Sequence, residues 1–527
     1  MTKLSSPPKP DVADAANEAA DLFKRSLGIS RLSWRLARAG NRQFLKFEVG
    51  RSAPVYEYAI RQTQRQLGDD HRFKGLISLA VEPVDRFPQS LEADVLGSLL
   101  TRNTRQVVSD HSNDEFQVSY VPFQNQEDGK LSQAATHILV GRRGVGKSTL
   151  ISRVAEILEK SRNACVVLDM QAYSEGTSEE LIFDVLGDLS ERLRQQCERK
   201  FPKLKGTQVS NDLKLFSSDC LQGAIEVSGI APRFRRIIES ISQAIDGDVF
   251  VFLDDFHVVE QSLQPRLLQV IHGSLKGARG WLKVSGLKSL LNAYDPTHRF
   301  GLQVPGDAQM ISLDLTLVDP ESAETHLQAI LAKFLEAVGV PTPGTVVPEN
   351  VLRRLIWANA GVPRDFLQMF GRSLEHARRS NRPKVTLTDA NLAIGEFGQQ
   401  KIDEMERDGR NANAELRRAV TFLEEFCLDR NKVNAFLIRS ENTPERSVVQ
   451  ILSDLRIVHL IHPTITPHRA GERYEAFLLD YCLFTGFRLR PNIKEMLPED
   501  NRQFKATELR KIPALPKDFL KSGNGAA

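Results

Sequence analysis

The chain has 527 residues, 41% hydrophobic and 26% charged, the balance of an ordinary globular protein of about three or four domains. That composition excludes a mostly disordered chain, a collagen-like fibre and a disulfide scaffold, and no apolar run reaches the roughly 18 residues of a transmembrane helix. The net charge of +3 permits nucleic-acid binding without requiring it.

The N-terminus, MTKLSSPPKPDVADAANEAAD, lacks the apolar core of a signal peptide. Residues 1–26 read as a disordered polar tail, and the expected location is cytoplasmic, with no membrane partner. Cys165, Cys197, Cys220, Cys427 and Cys482 are too scattered for a C-x-x-C pair and read as buried or incidental thiols.

Residues 27–130 read as a small α/β region of unknown role: a strand at 44–49, a helix at 55–67, a strand at 74–84 and a helix at 90–100 with Ser90 as its N-cap. From 131 to 317 buried apolar strands alternate with helices. The strands are AATHILV (134–140), ACVVLDM (164–170), DVFVFLDD (248–255), WLKVSGL (281–287) and AQMISLDL (308–315). Helices are expected after the first, at 177–196 with Thr177 as cap, and at 231–245. This alternation predicts a parallel sheet covered on both faces. Residues 318–408 read as a run of helices. Residues 413–488 read as helices followed by the strands IVHLIHP (457–463) and RYEAFLLDY (473–481), with Thr443 capping a helix that starts at Pro444. Residues 489–527 are expected to be an extended tail.

The strongest motif is Gly141-Arg142-Arg143-Gly144-Val145-Gly146-Lys147-Ser148-Thr149, a full G-x-x-x-x-G-K-[ST] set between a buried strand and a helix. Glycines let successive amides face one anion, and the helix N-terminus adds its positive dipole. Lys147 is positioned to bridge the β- and γ-phosphates of ATP, and the Ser148 hydroxyl to occupy one Mg²⁺ position. The strand Val249–Leu253 ends in Asp254 and Asp255. Asp254 is assigned to Mg²⁺, and Asp255 to polarising the attacking water.

The order of these features resembles the AAA+ ATPases, specifically the origin-recognition replication initiators, over about residues 131–490. The stretch Gly361-Val-Pro-Arg364-Asp-Phe resembles the sensor 2 motif, which makes Arg364 a γ-phosphate contact. By the same resemblance Ser285 takes the sensor 1 position, in place of the usual asparagine. Arg299 is the arginine finger, which implies a homo-oligomer. Asp255 stands where glutamate is common, which implies slow hydrolysis. Gly361-Val-Pro363 also resembles the GxP element of the signalling ATPases of the STAND class.

The region 413–488 looks like a winged helix. Its helix at 444–455 is the expected recognition helix, with Arg439, Arg446 and Arg456 on or beside it. His468, Arg469 and Arg473 lie in or beside the wing. Arginines at such places supply phosphate and groove contacts to duplex DNA. His459, His462 and His468 have no acidic or cysteine partner in sequence and read as ordinary histidines rather than metal ligands. The expected protein is therefore an α/β AAA+ ATPase with a helical lid and a winged helix. It binds ATP and Mg²⁺, associates with DNA, and acts in genome maintenance, mobile-element control or antiphage defence beside an effector encoded nearby. The alternative is a STAND-like scaffold that acts through protein partners without DNA.

Overall fold

The computed structural model describes residues 10–40, 42–104, 116–176, 180–409, 413–466, 472–496 and 504–520. The chain divides into two compact units. The first comprises residues 1–121, 321–399 and 481–491; the second comprises 122–320, 400–480 and 492–527. Thr177, Arg469 and His468 lie outside the described residues.

In the first unit, Pro10–Leu27 is a helix, not the expected tail. Ala16, Ala19, Ala20, Phe23 and Leu27 are buried, a stripe at three- and four-residue spacing that faces the core. Its small alanines, set among acidic residues, hide that stripe from a reading of polarity alone. The Phe23 ring packs 4.5 Å from that of Phe47.

Phe47 lies on β2 (Arg42–Val49), which pairs antiparallel with β1 (Trp34–Ala39) and parallel with β3 (Ile77–Val81). The helix Pro54–Gln66 makes the crossover between β2 and β3, as the β, α, β reading expected. β1 was not foreseen. Ser90 caps the helix Leu91–Thr104, its hydroxyl accepting from the Ala93 N–H at 3.3 Å.

The helical run after residue 318 comprises Pro320–Ala337, Glu349–Asn359, Pro363–Arg379 and Leu387–Gly409. The N-terminal region as far as residue 121 and this run as far as residue 399, expected as separate domains, share one compact unit. Asp94, on the helix Leu91–Thr104, joins Arg31 at 2.7 Å and Arg378 of Pro363–Arg379. Arg378 also donates to the Pro88 carbonyl at 2.7 Å.

The second unit is built on a five-stranded sheet of β4 (His137–Val140), β5 (Ala164–Asp169), β6 (Val249–Asp254), β7 (Gly280–Gly286) and β10 (Gln309–Ser312), in the order β10-β4-β7-β6-β5. Every pairing is parallel. β4 and β6 are buried along their whole length, as continuous apolar runs require. A two-residue-strand hairpin, β8 (Tyr294–Asp295) with β9 (Phe300–Gly301), precedes β10. The helix Gln208–Leu221, not foreseen in the sequence, lies beside Glu180–Lys200 and contributes Leu213, Phe216 and Cys220 to the core.

The winged-helix region follows the order helix Asn413–Glu424, β11 (Ala435–Arg439), helix Pro444–Asp454, β12 (Val458–Ile465) and β13 (Tyr474–Leu479). Its antiparallel sheet runs β11-β13-β12. Thr443 caps the middle helix through the Arg446 N–H at 3.3 Å, with Pro444 at the first position. The C-terminal segment is extended only in part. It includes a short helix, Ala506–Leu509, and returns to the edge of β11: Leu437 N–H donates to Pro513, and Leu515 N–H to Leu437. Leu509, Ile512, Leu515 and Phe519 are buried, and the Phe519 ring sits 5.2 Å from that of Phe422. No helix among the described residues is long and apolar enough to cross a membrane.

Candidate nucleotide site and the winged helix that touches it

The phosphate loop links β4 to the helix Lys147–Glu159. Gly144 and Gly146 have φ of 78° and 106°, left-handed values that a side chain would strain. A Cβ on Gly141 would meet Val145 Cγ2 at 2.9 Å. The loop is therefore a close-packed backbone cradle opening onto a helix N-terminus, where the first amides lack intrahelical acceptors. Val145 is buried inside it and Thr149 is exposed on the helix. Lys147 is buried, and its ammonium donates to the carbonyls of Gly141 at 2.7 Å and Arg142 at 3.1 Å. Burial lowers its pKa, opposed by Asp255, Asp254, Asp314 and Asp454.

The sheet order sets the acidic strand one place away from the phosphate-loop strand. β6, which carries the paired aspartates, is not adjacent to β4; β7 lies between them. That places Ser285 of β7 between the phosphate loop and the acidic pair. The fully buried Ser285 hydroxyl donates to Asp254 and accepts the Asp255 N–H at 3.0 Å. Ser148 also hydrogen-bonds Asp254. Ser148, Asp254, Asp255 and Ser285 thus meet where β6 and β7 end beside the phosphate loop.

The two carboxylates are driven apart in acidity. Burial raises the pKa of Asp254, and the neighbouring Asp255 charge adds to the rise; Ser148, Ser285 and Lys147 oppose it. Burial also works against the charge on Asp255, but His257, Lys147, the Gln171 hydrogen bond and Arg143 outweigh it and hold its pKa below the ordinary value. Asp255 has a left-handed φ of 53°, and its carboxylate accepts from Gln171 Nε2 at 3.0 Å. Gln171 and His257 were not singled out in the sequence; nothing in their spacing marks them.

The loop arginines face inward. The Arg142 N–H donates to Asp314 at 2.8 Å, and its guanidinium to the Leu315 carbonyl at 2.5 Å and to His459 Nδ1 at 3.4 Å. His459 Nε2 lies 2.7 Å from Asp480, which also pairs with Lys401. Arginine can only donate, so Nδ1 accepts and Nε2–H donates to Asp480. The Arg143 N–H donates to the Asp454 carbonyl at 3.3 Å, and its side chain lies 3.7 Å from Glu404. The expected recognition helix thus ends on the phosphate loop. Burial raises the pKa of the Asp454 carboxyl, opposed by two hydrogen bonds from Ser289, just past β7.

The remaining assigned residues are dispersed. Arg364 is the second residue of the helix Pro363–Arg379 and belongs to the first unit. Arg299 is exposed at the turn of the β8–β9 hairpin, with φ of 59°. Arg456 is 1% exposed and paired with Glu404, which corrects its expected place on a DNA-facing surface. Burying so long a cation requires the paired carboxylate. Arg446 makes two bonds to Glu475, at 3.0 and 2.8 Å, and Arg439 lies 3.4 Å from Glu472. Arg473 is exposed at the root of the wing.

A strand–loop–helix phosphate cradle and a buried acidic strand end on a parallel sheet are the features that carry the sequence's resemblance to AAA+ ATPases. No family model and no curated protein matches the chain. Among solved structures it is similar to the ORC2 protein of Aeropyrum pernix in ADPNP–ADP complexes, at 14% identity and TM-score 0.38, over 69% of this chain and 93% of that one. It is also similar to the ORC1 protein of Aeropyrum pernix in complex with DNA, at 14% identity and TM-score 0.36, over 68% and 90%. A third is the RuvB Holliday junction branch migration motor of Thermotoga maritima, at 13% identity and TM-score 0.29, over 55% and 77%. These are partial likenesses of chain path, and the site geometry stands on this chain's own residues.

Proposed function

We propose that the protein is an ATP-binding and ATP-hydrolysing switch of the AAA+ type that acts on duplex DNA, with the winged helix coupled to the phosphate loop. The observation that carries this reading is the end of the helix Pro444–Asp454 resting on the loop, where Asp454 accepts the Arg143 amide and its carboxylate is held beyond β7. The residues fit a nucleotide: Gly144 and Gly146 hold the left-handed backbone of an anion cradle, Gly141 has no room for a side chain against Val145, and Lys147 brings a buried ammonium to the loop. The loop amides and Lys147 would hold the phosphates. Ser148 and Asp254 would hold Mg²⁺. Bound Mg²⁺–ATP supplies the phosphoanhydride bond and the cation that neutralises its oxygens.

Asp255, ionised and aimed by Gln171, accepts a proton from water. Ser285 fixes both carboxylates by bonding one and receiving the amide of the other. Arg299, exposed on its hairpin, is available to the site of a neighbouring copy, so activity requires a homo-oligomer.

Opening the loop for phosphates competes with the Asp454 contact, which links nucleotide state to the winged helix and hence to DNA. The test is ATPase turnover of the full chain with and without duplex DNA. Stimulation is expected. ATP hydrolysis that is indifferent to DNA, together with no DNA binding in a gel-shift titration, overturns it. The internal pairing of Arg439, Arg446 and Arg456 favours a second reading, a STAND-like scaffold that acts through a protein effector; that result selects it.

A further inference from the structure

The helix expected to read DNA presents little free positive charge. Arg446 is bonded twice to Glu475, and Arg456 is buried on Glu404. Exposed cations of this region lie elsewhere, among them Arg473 at the wing root, and Arg510 and Lys511 on the C-terminal segment. Among the described residues these three form no ion pair.

Their position is fixed by the fold. The C-terminal segment bonds to both sides of Leu437 on the open edge of β11 and is anchored by buried Leu509, Ile512 and Leu515. Between this segment and the root of the wing lies a cleft of about 820 Å³, lined by Arg439, Glu472 and Tyr474 on the sheet and by Thr507, Arg510 and Lys511 on the segment. Glu472 is already engaged, accepting from the Tyr474 hydroxyl at 2.9 Å and pairing with Arg439 at 3.4 Å. The Arg439 guanidinium lies 5.7 Å from the Tyr474 ring centroid, which orients it. One carboxylate is thus neutralised, and the charges of Arg510 and Lys511 are left uncompensated beside a fixed guanidinium and a hydroxyl.

We infer that the C-terminal segment and the wing root form a cleft for the phosphate backbone of duplex DNA, with Arg510 and Lys511 contacting phosphates and Arg439 and Thr507 donating alongside. This rests on the reading that the protein acts on DNA and moves the backbone contacts from the recognition helix to the segment behind it. The contacts are sequence-independent, as phosphate contacts are. The exposed guanidinium and ammonium release counterions from the duplex when they engage it.

The experiment is fluorescence anisotropy of a labelled duplex with the full chain and with Arg510→Ala/Lys511→Ala, over a salt series. Both residues are exposed, so the double variant keeps its fold, checked by unchanged ATP affinity. The expected result is a slope of log affinity against log salt that is shallower by about two, roughly 0.9 for each phosphate no longer neutralised. Affinity at low salt should fall at least tenfold, and Lys511→Arg should keep most of it. If the wild-type chain binds duplex and the double variant matches it in affinity and slope, the cleft assignment is wrong and the DNA reading stands. If the wild-type chain binds no duplex at any salt, the DNA reading itself is wrong, and the cleft loses its ligand with it.

Discussion

Ser289 and Asp454, 165 residues apart in sequence, are joined by two hydrogen bonds: the backbone N–H and the hydroxyl of Ser289 donate to the same carboxylate oxygen at 2.8 and 2.6 Å. Through this pair and the Arg143 amide, the end of one winged-helix element is held against the loop that would hold phosphates. Hydrogen bonds to a charged group are worth about 1.5–3 kcal/mol each. Asp454→Ala removes both and takes a negative charge away from the cradle; the Arg143 bond, made to the main-chain carbonyl, is kept but loses the anchor that holds it in place. ATP affinity is expected to rise about tenfold, the equivalent of about 1.4 kcal/mol. Isothermal calorimetry checks this; unchanged or weaker binding means that the Ser289-anchored carboxylate and the nucleotide do not compete.

Lys147→Ala is expected to abolish tight ATP binding. The ammonium now bonds two loop carbonyls, so its loss also removes the groups that close the cradle. Calorimetry that returns the wild-type affinity would remove Lys147 from the site.

The divided acidities of Asp254 and Asp255 separate their roles. On the proposed reading Asp255, held ionised, is the base, and Asp255→Asn is expected to lower turnover by about 10²-fold while ATP binding stays near normal, the usual cost of losing a positioned acid–base group. Asp254→Asn removes the carboxylate charge while its amide oxygen can still accept from Ser285 and Ser148, and it is expected to weaken Mg²⁺-dependent binding instead. Phosphate-release rates and Mg²⁺ titrations of the two variants tell these apart. Normal turnover in Asp255→Asn places the base elsewhere.

The parts of this site that lie on one strand end or one loop were legible in the sequence, because glycine spacing, a buried apolar run and a terminal carboxylate each leave a local pattern. The phosphate loop, Asp254 and Asp255 were read that way. Ser285 came from resemblance, and the structure gives it a bond to Asp254. Gln171, His257, Ser289 and Asp454 were not legible, since each acts only through a partner that folding brings from far along the chain. Asp314 could have been suspected, as a carboxylate just past β10. The same limit hid the shared unit of the N-terminal region and the helical run, which depends on tertiary contacts such as Asp94 with Arg378. Arg456 was misplaced because a charged residue after a helix looks exposed until its carboxylate partner is seen.

Arg299 makes a prediction about assembly. It is exposed on a hairpin turn and, among the described residues, forms no ion pair. An Arg299→Ala protein and a Lys147→Ala protein are each expected to be inactive alone. A mixture should recover part of the activity, since one intact composite site forms where the two chains meet. ATPase assays across mixing ratios check it; no recovery, with mixed oligomers shown by light scattering and cross-linking, removes Arg299 from the site.

The buried chain from Arg142 through His459 to Asp480 predicts a pH dependence. Burial, reinforced by Lys401 and Arg142 and opposed by Asp480, lowers the His459 pKa to about 4 from its ordinary 6.5. The folded form therefore binds fewer protons than the unfolded form between those values. A base depressed in this way contributes stability that is whole above pH 6.5 and is lost as the pH falls towards 4. The slope for one such proton is about 1.4 kcal/mol per pH unit. His459→Gln retains an amide donor for Asp480 but cannot titrate. Urea unfolding of the full chain at several pH values between about 4.5 and 6.5 is expected to show a steep loss of stability for the wild type and a slope shallower by about one proton for the variant. Parallel slopes would mean that His459 titrates alike in the folded and unfolded chain, and that it does not lie locked between Arg142 and Asp480.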